Sequence, residues 1–238
     1  MEEKSVINGL KLDKIQEAFE KAREGINIPG FKLVLVTPEY YDKALDFIRD
    51  HFITKEVVHL SAGLEWTDEV KTICLQTFKL NLSLMFIDEQ TEEAAAILRT
   101  SVQSKNACES LDNIQTKSLK EVMRFVNICD EYGDFFGHFG TDEAFHIDAL
   151  AVAEKYQRQG LATNIFKATV GMISKLGIDP VYIKVEGSSI YSKKVFEAAG
   201  FETLSEKSFD SWQFPVQIKR SGVNTSQKNY GLRITNKM

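Results

Sequence analysis

Residues 151–167 read AVAEKYQRQGLATNIFK. They join the end of an apolar run, AFHIDALAV (144–152), to the beginning of a helical pattern through a polar loop with a single glycine, Gly160. A strand, a tight turn and a helix start are thus expected in succession. The first amides of a helix have no intrahelical partner and carry a partial positive charge, and a glycine lets a bulky anion approach the backbone closely. A pyrophosphate suits such a place. The loop lacks the lysine and hydroxyl of a P-loop and the three glycines of a dinucleotide turn, so neither nucleotide hydrolysis nor nicotinamide chemistry is indicated. Taken alone, it serves equally well as a strand-to-helix turn that Gly160 merely shapes.

Upstream, Leu12, Ile15, Phe19, Ala22 and Ile26 recur at helical spacing, predicting an amphipathic helix over residues 10–24 that GINIPG ends. FKLVLVTP reads as a strand, and EYYDKALDFIRDHF as a helix with Tyr41, Leu45, Ile48 and Phe52 on one face. A short helix then breaks at Gly63, and a longer one is capped near Thr67. LSLMFID and EAAAILRTSVQ, joined by the polar turn Asp88–Thr91, form an antiparallel hairpin. After the helix SLKEVMRFVNICDEY, strict alternation along AFHIDALAV puts His146, Asp148 and Leu150 on one face. Beyond the glycine loop follow a helix, the strand PVYIKVEG, the helix SIYSKKVFEAAG and the strand FETLSEKSF. A long polar connection (208–228) and a last short strand, YGLRITNK, complete the chain. Hairpins early and crossovers late predict a mixed sheet flanked by helices, of the α/β (α+β) class.

The composition is that of a globular protein: 238 residues, 43% hydrophobic and 26% charged. A net charge of -5 argues against a nucleic-acid partner or an anionic-membrane partner, both of which need basic surface. The N-terminus is acidic and interrupted, unlike a secretory signal, and no segment reaches the roughly 18 to 20 apolar residues of a membrane span. Cys74, Cys108 and Cys129 are odd in number and lack the close spacing of a zinc site or redox pair, which suggests reduced thiols, a cytoplasmic location and no metal.

The ordered run FHIDALAVAEKYQRQGLATNIFK, PVYIKV and SSIYSKKVFEAAGF resembles the acetyl-CoA-binding core of the GCN5-related N-acetyltransferase (GNAT) superfamily. Gln157, Gly160 and Ala162 match its (Gln/Arg)-x-x-Gly-x-(Gly/Ala) pyrophosphate motif, and Gly200 with Phe201 its closing GF. The resemblance implies the GNAT fold, a central mixed, mostly antiparallel sheet splayed at the fourth strand. It also implies acetyl-CoA as co-substrate, with backbone groups of Leu150 and Val152 bonding the pantetheine arm. The amides of Arg158, Gln159, Gly160, Leu161, Ala162 and Thr163 would hold the pyrophosphate. Residues 29–238 would form this domain, preceded by a helical extension over 1–28.

FIRDHFITKEVVHL, YQRQGLA, GSSIYSKKVFEAAGF and YGLRITNK are together similar to the insect arylalkylamine N-acetyltransferase branch, which includes the dopamine-acetylating enzymes. By that resemblance Glu56 is the base, although Val57 stands where the branch has proline, and Ser188 and Ser192 are the catalytic serines. Phe196 occupies the place of the superfamily's frequent tyrosine acid and cannot donate a proton. His146 matches the first of two histidines that alternate along this strand in the vertebrate arylalkylamine enzymes, and Asp148 replaces the second, so the two could form a water relay. Phe52, His59 and Trp66 lie in segments that wall the acceptor pocket in relatives, or simply pack the core. The implied activity is direct acetyl transfer to a small primary amine, an arylalkylamine first, by a monomer or alternatively a dimer. Polyamine or agmatine-type acceptors, a protein amino terminus and a silent acyl-CoA-binding module are the rival readings.

Overall fold

The computed structural model describes residues 6–105, 111–216 and 224–235, which leaves Cys108 outside the described residues. Among these residues seven strands form one sheet in the order β1-β2-β3-β4-β5-β7-β6. They are β1 (Phe31–Leu35), β2 (Leu84–Asp88), β3 (Ala94–Ser104), β4 (Glu143–Val152), β5 (Val181–Gly187), β6 (Glu202–Ser208) and β7 (Ser226–Ile234). Only β4 and β5 run parallel; the other five pairings are antiparallel, so the sheet is mixed and mostly antiparallel as expected. The final strand differs from its reading as short: β7 is nine residues long and lies between β5 and β6.

Among the described residues eight α-helices flank the sheet: α1 (Leu12–Arg23), α2 (Tyr41–Ile48), α3 (Val57–Ala62), α4 (Asp68–Phe78), α5 (Lys117–Gly133), α6 (Phe135–Phe139), α7 (Leu161–Ser174) and α8 (Ile190–Ala198). Consecutive residues of β2 and β3 are buried (Leu84–Ile87 and Ala95–Leu98), because helices cover both faces of the sheet there. α7 packs on β2, β3 and β4 and carries α1 on its outer side; α2 and α4 pack on β3, and α5 on β6 and β7. The apolar stripe Ile15, Ala18, Phe19 and Ala22 of α1 is buried in this core, whereas Leu12, at the edge of the predicted stripe, is exposed.

The predicted breaks have local causes. Gly63 ends α3 in the left-handed region (φ 67°), where a side chain would be strained, and the Thr67 hydroxyl caps α4 by accepting from Val70 N–H. α2 does not run on as a regular helix to Phe52. It passes at Arg49–Ile53 into a π-helical turn, an insertion that shifts the register of everything after it.

β4 and β5 are joined only over Phe145–Ile147 and Ile183–Val185. A chain of buried charges clamps this short seam. Lys184, 2% exposed, donates to Asp130 (2.5 Å) and to Gln103 (2.9 Å) and sits 3.0 Å from Glu186 Oε1. Glu186 Oε2 lies 2.6 Å from His146 Nε2. Burial alone would favour the neutral carboxyl of Glu186, but His146 and Lys184 override it and pull its pKa to about 2. Burial likewise opposes the His146 charge, and Glu186 outweighs it, so the pKa of His146 stands above its usual 6.5.

Two outcomes are expected. Lys184→Met leaves the buried Asp130 without its cation and Glu186 with His146 alone, and should lower stability by about 3–5 kcal/mol, read as a lower urea midpoint; an unmoved midpoint would show the clamp to be dispensable. The stability contributed by the raised His146 is complete below pH 6.5 and is lost as pH rises through its folded pKa. His146→Gln should therefore flatten the fall of stability on the alkaline side, and an unchanged slope would remove His146 as its source.

Candidate active site

Past Ile147 the two parallel strands part. The register between β3 and β4 slips by one residue there: Thr100 pairs with Ile147 and Arg99 with Ala149, leaving Asp148 as the extra residue of a β-bulge. Its carboxylate accepts from Arg99 Nε at 2.6 Å, and the same guanidinium donates to Cys74 Sγ of α4 at 2.8 Å. Above the bulge β4 has no ladder partner on the β5 side. Ala153 N–H donates to Ala95 O of β3, so strand alternation turns the backbone groups of Leu150 and Val152 towards the open side. Val152 O accepts there from the Gln157 side chain at 3.4 Å.

The gap opens into a cavity of about 730 Å³. At one end lies the start of α7, with Gly160 as N-cap at φ 79° and Arg158 also in the left-handed region at φ 63°. Among the described residues no side chain caps this helix, so its first amides face outward. Gly160, Leu161, Ala162 and Thr163 wall the cavity, as do Arg158, Leu150 and Val152; Gln159 does not.

At the other end stand Phe52, placed by the π-helical turn, and α3. Glu56 is the N-cap of α3: its Oε2 accepts from His59 N–H at 2.8 Å, while its Oε1 is buried without a hydrogen-bond partner. The ring of His59 meets Phe52 edge-on at 5.1 Å, and its Nδ1, 3.9 Å from Glu56 Oε2, is also buried and unbonded. Burial pushes the pKa of His59 down against the pull of Glu56, so the imidazole is neutral. Glu56, His59 and Phe52 all wall the cavity, and Trp66 does not; it packs against the core. Val57 and Val58 of α3 face Val122 and Val126 of α5 across an apolar stretch. Behind them Phe125 is packed by Phe209, Trp212 and Phe214, aromatic residues from the connection that reads as polar in sequence.

Ser188 and Ser192 border the same space beside the start of α8. It is Ser189 that caps this helix, accepting from Ser192 N–H at 3.1 Å, and the Ser192 hydroxyl donates to Ser189 O at 3.0 Å. Phe196 is buried against Phe166 and Tyr230, whose hydroxyl is committed to Glu197 at 2.9 Å. His146 and Asp148 are not hydrogen-bonded to each other: His146 is paired with Glu186 and Asp148 with Arg99, although the Asp148 charge adds to the upward pull on the His146 pKa. Glu186, Val122 and Val126 are wall residues that the sequence did not single out. The i, i+4 spacing of the two valines, next to the core stripe Phe125 and Cys129, was the one available signal. Cys74 and Cys129 are free and buried, and neither borders the cavity. Among the described residues no cluster of metal-ligating side chains occurs and no helix is long and apolar enough to cross a membrane.

The solved structure of arylalkylamine N-acetyltransferase 2 from Aedes aegypti is similar in fold, with TM-score 0.75 and 20% identity, over 85% of this chain and 98% of that one. Mosquito arylalkylamine N-acetyltransferase-like 5b (TM-score 0.77, 15% identity) and Drosophila melanogaster polyamine N-acetyltransferase (0.72, 14%) each match over 86% of this chain and 100% of theirs. At such identities the likeness speaks for the fold. The family model described as "Acetyltransferase (GNAT) domain" matches residues 86–214, more than half of the sequence and the part that carries the bulge, the splay and the glycine loop. The chain therefore belongs to the GNAT acetyltransferase family.

Proposed function

We propose that the protein transfers the acetyl group of acetyl-CoA to the amino group of an arylalkylamine by direct attack. One observation carries the choice of acceptor. Among the described residues three carboxylates border the cavity, and two are already neutralised, Asp148 by Arg99 and Glu186 by His146 and Lys184. Glu56 has only the neutral His59 beside it. A single free carboxylate next to a valine-lined stretch suits one ammonium group on an apolar body. A polyamine would have to leave its second charge against Val57, Val58, Val122 or Val126, with no further unpaired carboxylate among the described wall residues to meet it.

The thioester end would lie in the splay, its carbonyl polarised by the outward backbone amides of β4 over Leu150–Val152, and its pyrophosphate on the start of α7. An alkylamine of lysine-like pKa, about 10.4, is only about one part in a thousand neutral near neutral pH, a handicap of about 4 kcal/mol. Glu56 removes that proton, and the neutral amine attacks the thioester carbon. No acyl-enzyme is invoked, since neither Cys74 nor Cys129 borders the cavity. With Phe196 at the acid's place, the thiolate departs beside the hydroxyls of Ser188 and Ser192.

Saturating acetyl-CoA should raise the melting temperature by about 5 °C or more, as for any ligand bound only by the folded state. Gly160→Glu should abolish the rise, and Gly160→Asn, which tolerates the left-handed backbone, should retain most of it. A wild-type protein indifferent to acetyl-CoA would refute the cofactor reading. In turnover assays by thiol release, Glu56→Gln should cut kcat/KM on the order of a hundredfold at neutral pH and lose the acidic limb, its rate then tracking the neutral fraction of the amine. A preference for spermidine or agmatine over tyramine and dopamine would overturn the acceptor assignment.

A further inference from the structure

Glu56 Oε1 and His59 Nδ1 are two buried polar atoms without partners, on adjacent residues of one cavity wall. Buried polar atoms are nearly always satisfied, and a pair left open at one spot marks the place of a missing group. Both can accept: a carboxyl oxygen, and the Nδ1 of a neutral imidazole whose other ring nitrogen donates to the Phe52 backbone. The missing group is therefore a donor with at least two hydrogens. The amine of the proposed reaction has that character, and this inference rests on that reading.

The proton count of the reaction gives the pair a sharper meaning. An ammonium nitrogen begins with three hydrogens and the amide product keeps one, so two N–H bonds must break, one before the attack and one after it. We propose that His59 is the second proton acceptor: Glu56 takes the first proton and His59 Nδ1 takes the one released when the carbon–nitrogen bond forms. In the second step the amine lone pair becomes the C–N bond, and the C–S bond breaks with its electron pair leaving on sulfur as thiolate. The remaining surplus proton passes from nitrogen to His59, leaving amide, thiolate and imidazolium. The imidazolium so formed lies 3.9 Å from Glu56 Oε2, and each residue gives up its one proton to solvent when the products leave.

The charged groups around the ring suit an acceptor that is neutral at rest. Glu56 on its own segment favours the imidazolium, while Arg99 from β3 disfavours it and is itself balanced by Asp148 of the β4 bulge. A purely structural role for His59 would instead rest on its edge contact with Phe52, which a phenylalanine could reproduce, and on the ring hydrogen bond to the Phe52 backbone, which glutamine could replace.

The two proton transfers separate when the acceptor is already neutral. With a weakly basic amine such as 2,2-difluoro-2-phenylethylamine, Glu56→Gln should regain turnover to within a few-fold of wild type, because the first proton is absent. His59→Gln should remain on the order of a hundredfold slower in kcat with both the fluorinated amine and phenethylamine, with the acetyl-CoA-induced melting shift intact. Exogenous imidazole should restore part of the rate of His59→Ala. His59→Phe keeps the ring contact and serves should the glutamine variant not fold. If His59→Phe or His59→Gln turns over the fluorinated amine within about threefold of wild type, His59 is not the second acceptor, although the acetyltransferase reading stands. If the wild type acetylates neither amine, that reading fails and takes the inference with it.

Discussion

The pairing of Arg99 with Asp148 is the interaction on which the site depends. An extra residue in a strand would ordinarily turn its side chain to solvent or slide the register. Here the extra residue is an aspartate, fixed from the neighbouring strand by a guanidinium that also reaches Cys74 on α4. The guanidinium is buried, and the carboxylate outweighs the cost of burial and holds its pKa further up. The bulge is thereby locked, β4 is turned away from β5 after three paired residues, and the backbone of Leu150 and Val152 is left without a strand partner on that side. Below the split, the Lys184, Asp130, Glu186 and His146 chain closes the seam. The sheet is thus held shut by charge on one side of the bulge and held open by charge on the other.

The same pairings decide the chemistry of the cavity by subtraction. Asp148 and Glu186 border the cavity, yet their charges are spent on architecture. What is left for a substrate is Glu56, which forms part of a helix cap through one oxygen and keeps the other free. A cap fixes a carboxylate more firmly than a solvated side chain on a loop would be. The capping geometry therefore places the free oxygen, and the same hydrogen bond brings the His59 backbone, and with it the imidazole, into the site.

The parts of this arrangement that were legible in sequence rest on local rules. Gly160 ahead of a helical pattern, Thr67 before Asp68, Gly63 between two apolar runs and the Asp88–Thr91 turn were each read correctly, because a cap or a left-handed residue is specified by its immediate neighbours. The hidden parts involve partners far along the chain. Nothing near Asp148 indicates that Arg99, 49 residues earlier, will claim it, so the aspartate read as a relay partner of His146. Lys184 likewise looks like an ordinary strand lysine until Asp130 and Glu186 surround it. The polar connection after β6 concealed Phe209, Trp212 and Phe214, single aromatics among polar residues that acquire a common cluster only when α5 is in place. The five-residue α6 and the π-helical turn at Arg49–Ile53 were not read at all, since neither has a periodicity of its own.

The position of β7 has a consequence for the order in which the chain can mature. β5 forms one wall of the splay, yet its only long ladder is with β7, and β6 has no sheet partner except β7. During synthesis, residues 181–208 leave the ribosome before the strand that must slot between them. Until residues 226–234 emerge, β5 has the three-residue seam with β4 as its one sheet pairing, and β6 has none. The nascent protein then exposes two open strand edges, one of them on β5, which walls the cavity through Val185 and Glu186. A chain halted before Ser226 would therefore possess the glycine loop, the bulge and Glu56 without a competent binding cleft, and would be a substrate for chaperones and proteases in place of a partly active enzyme.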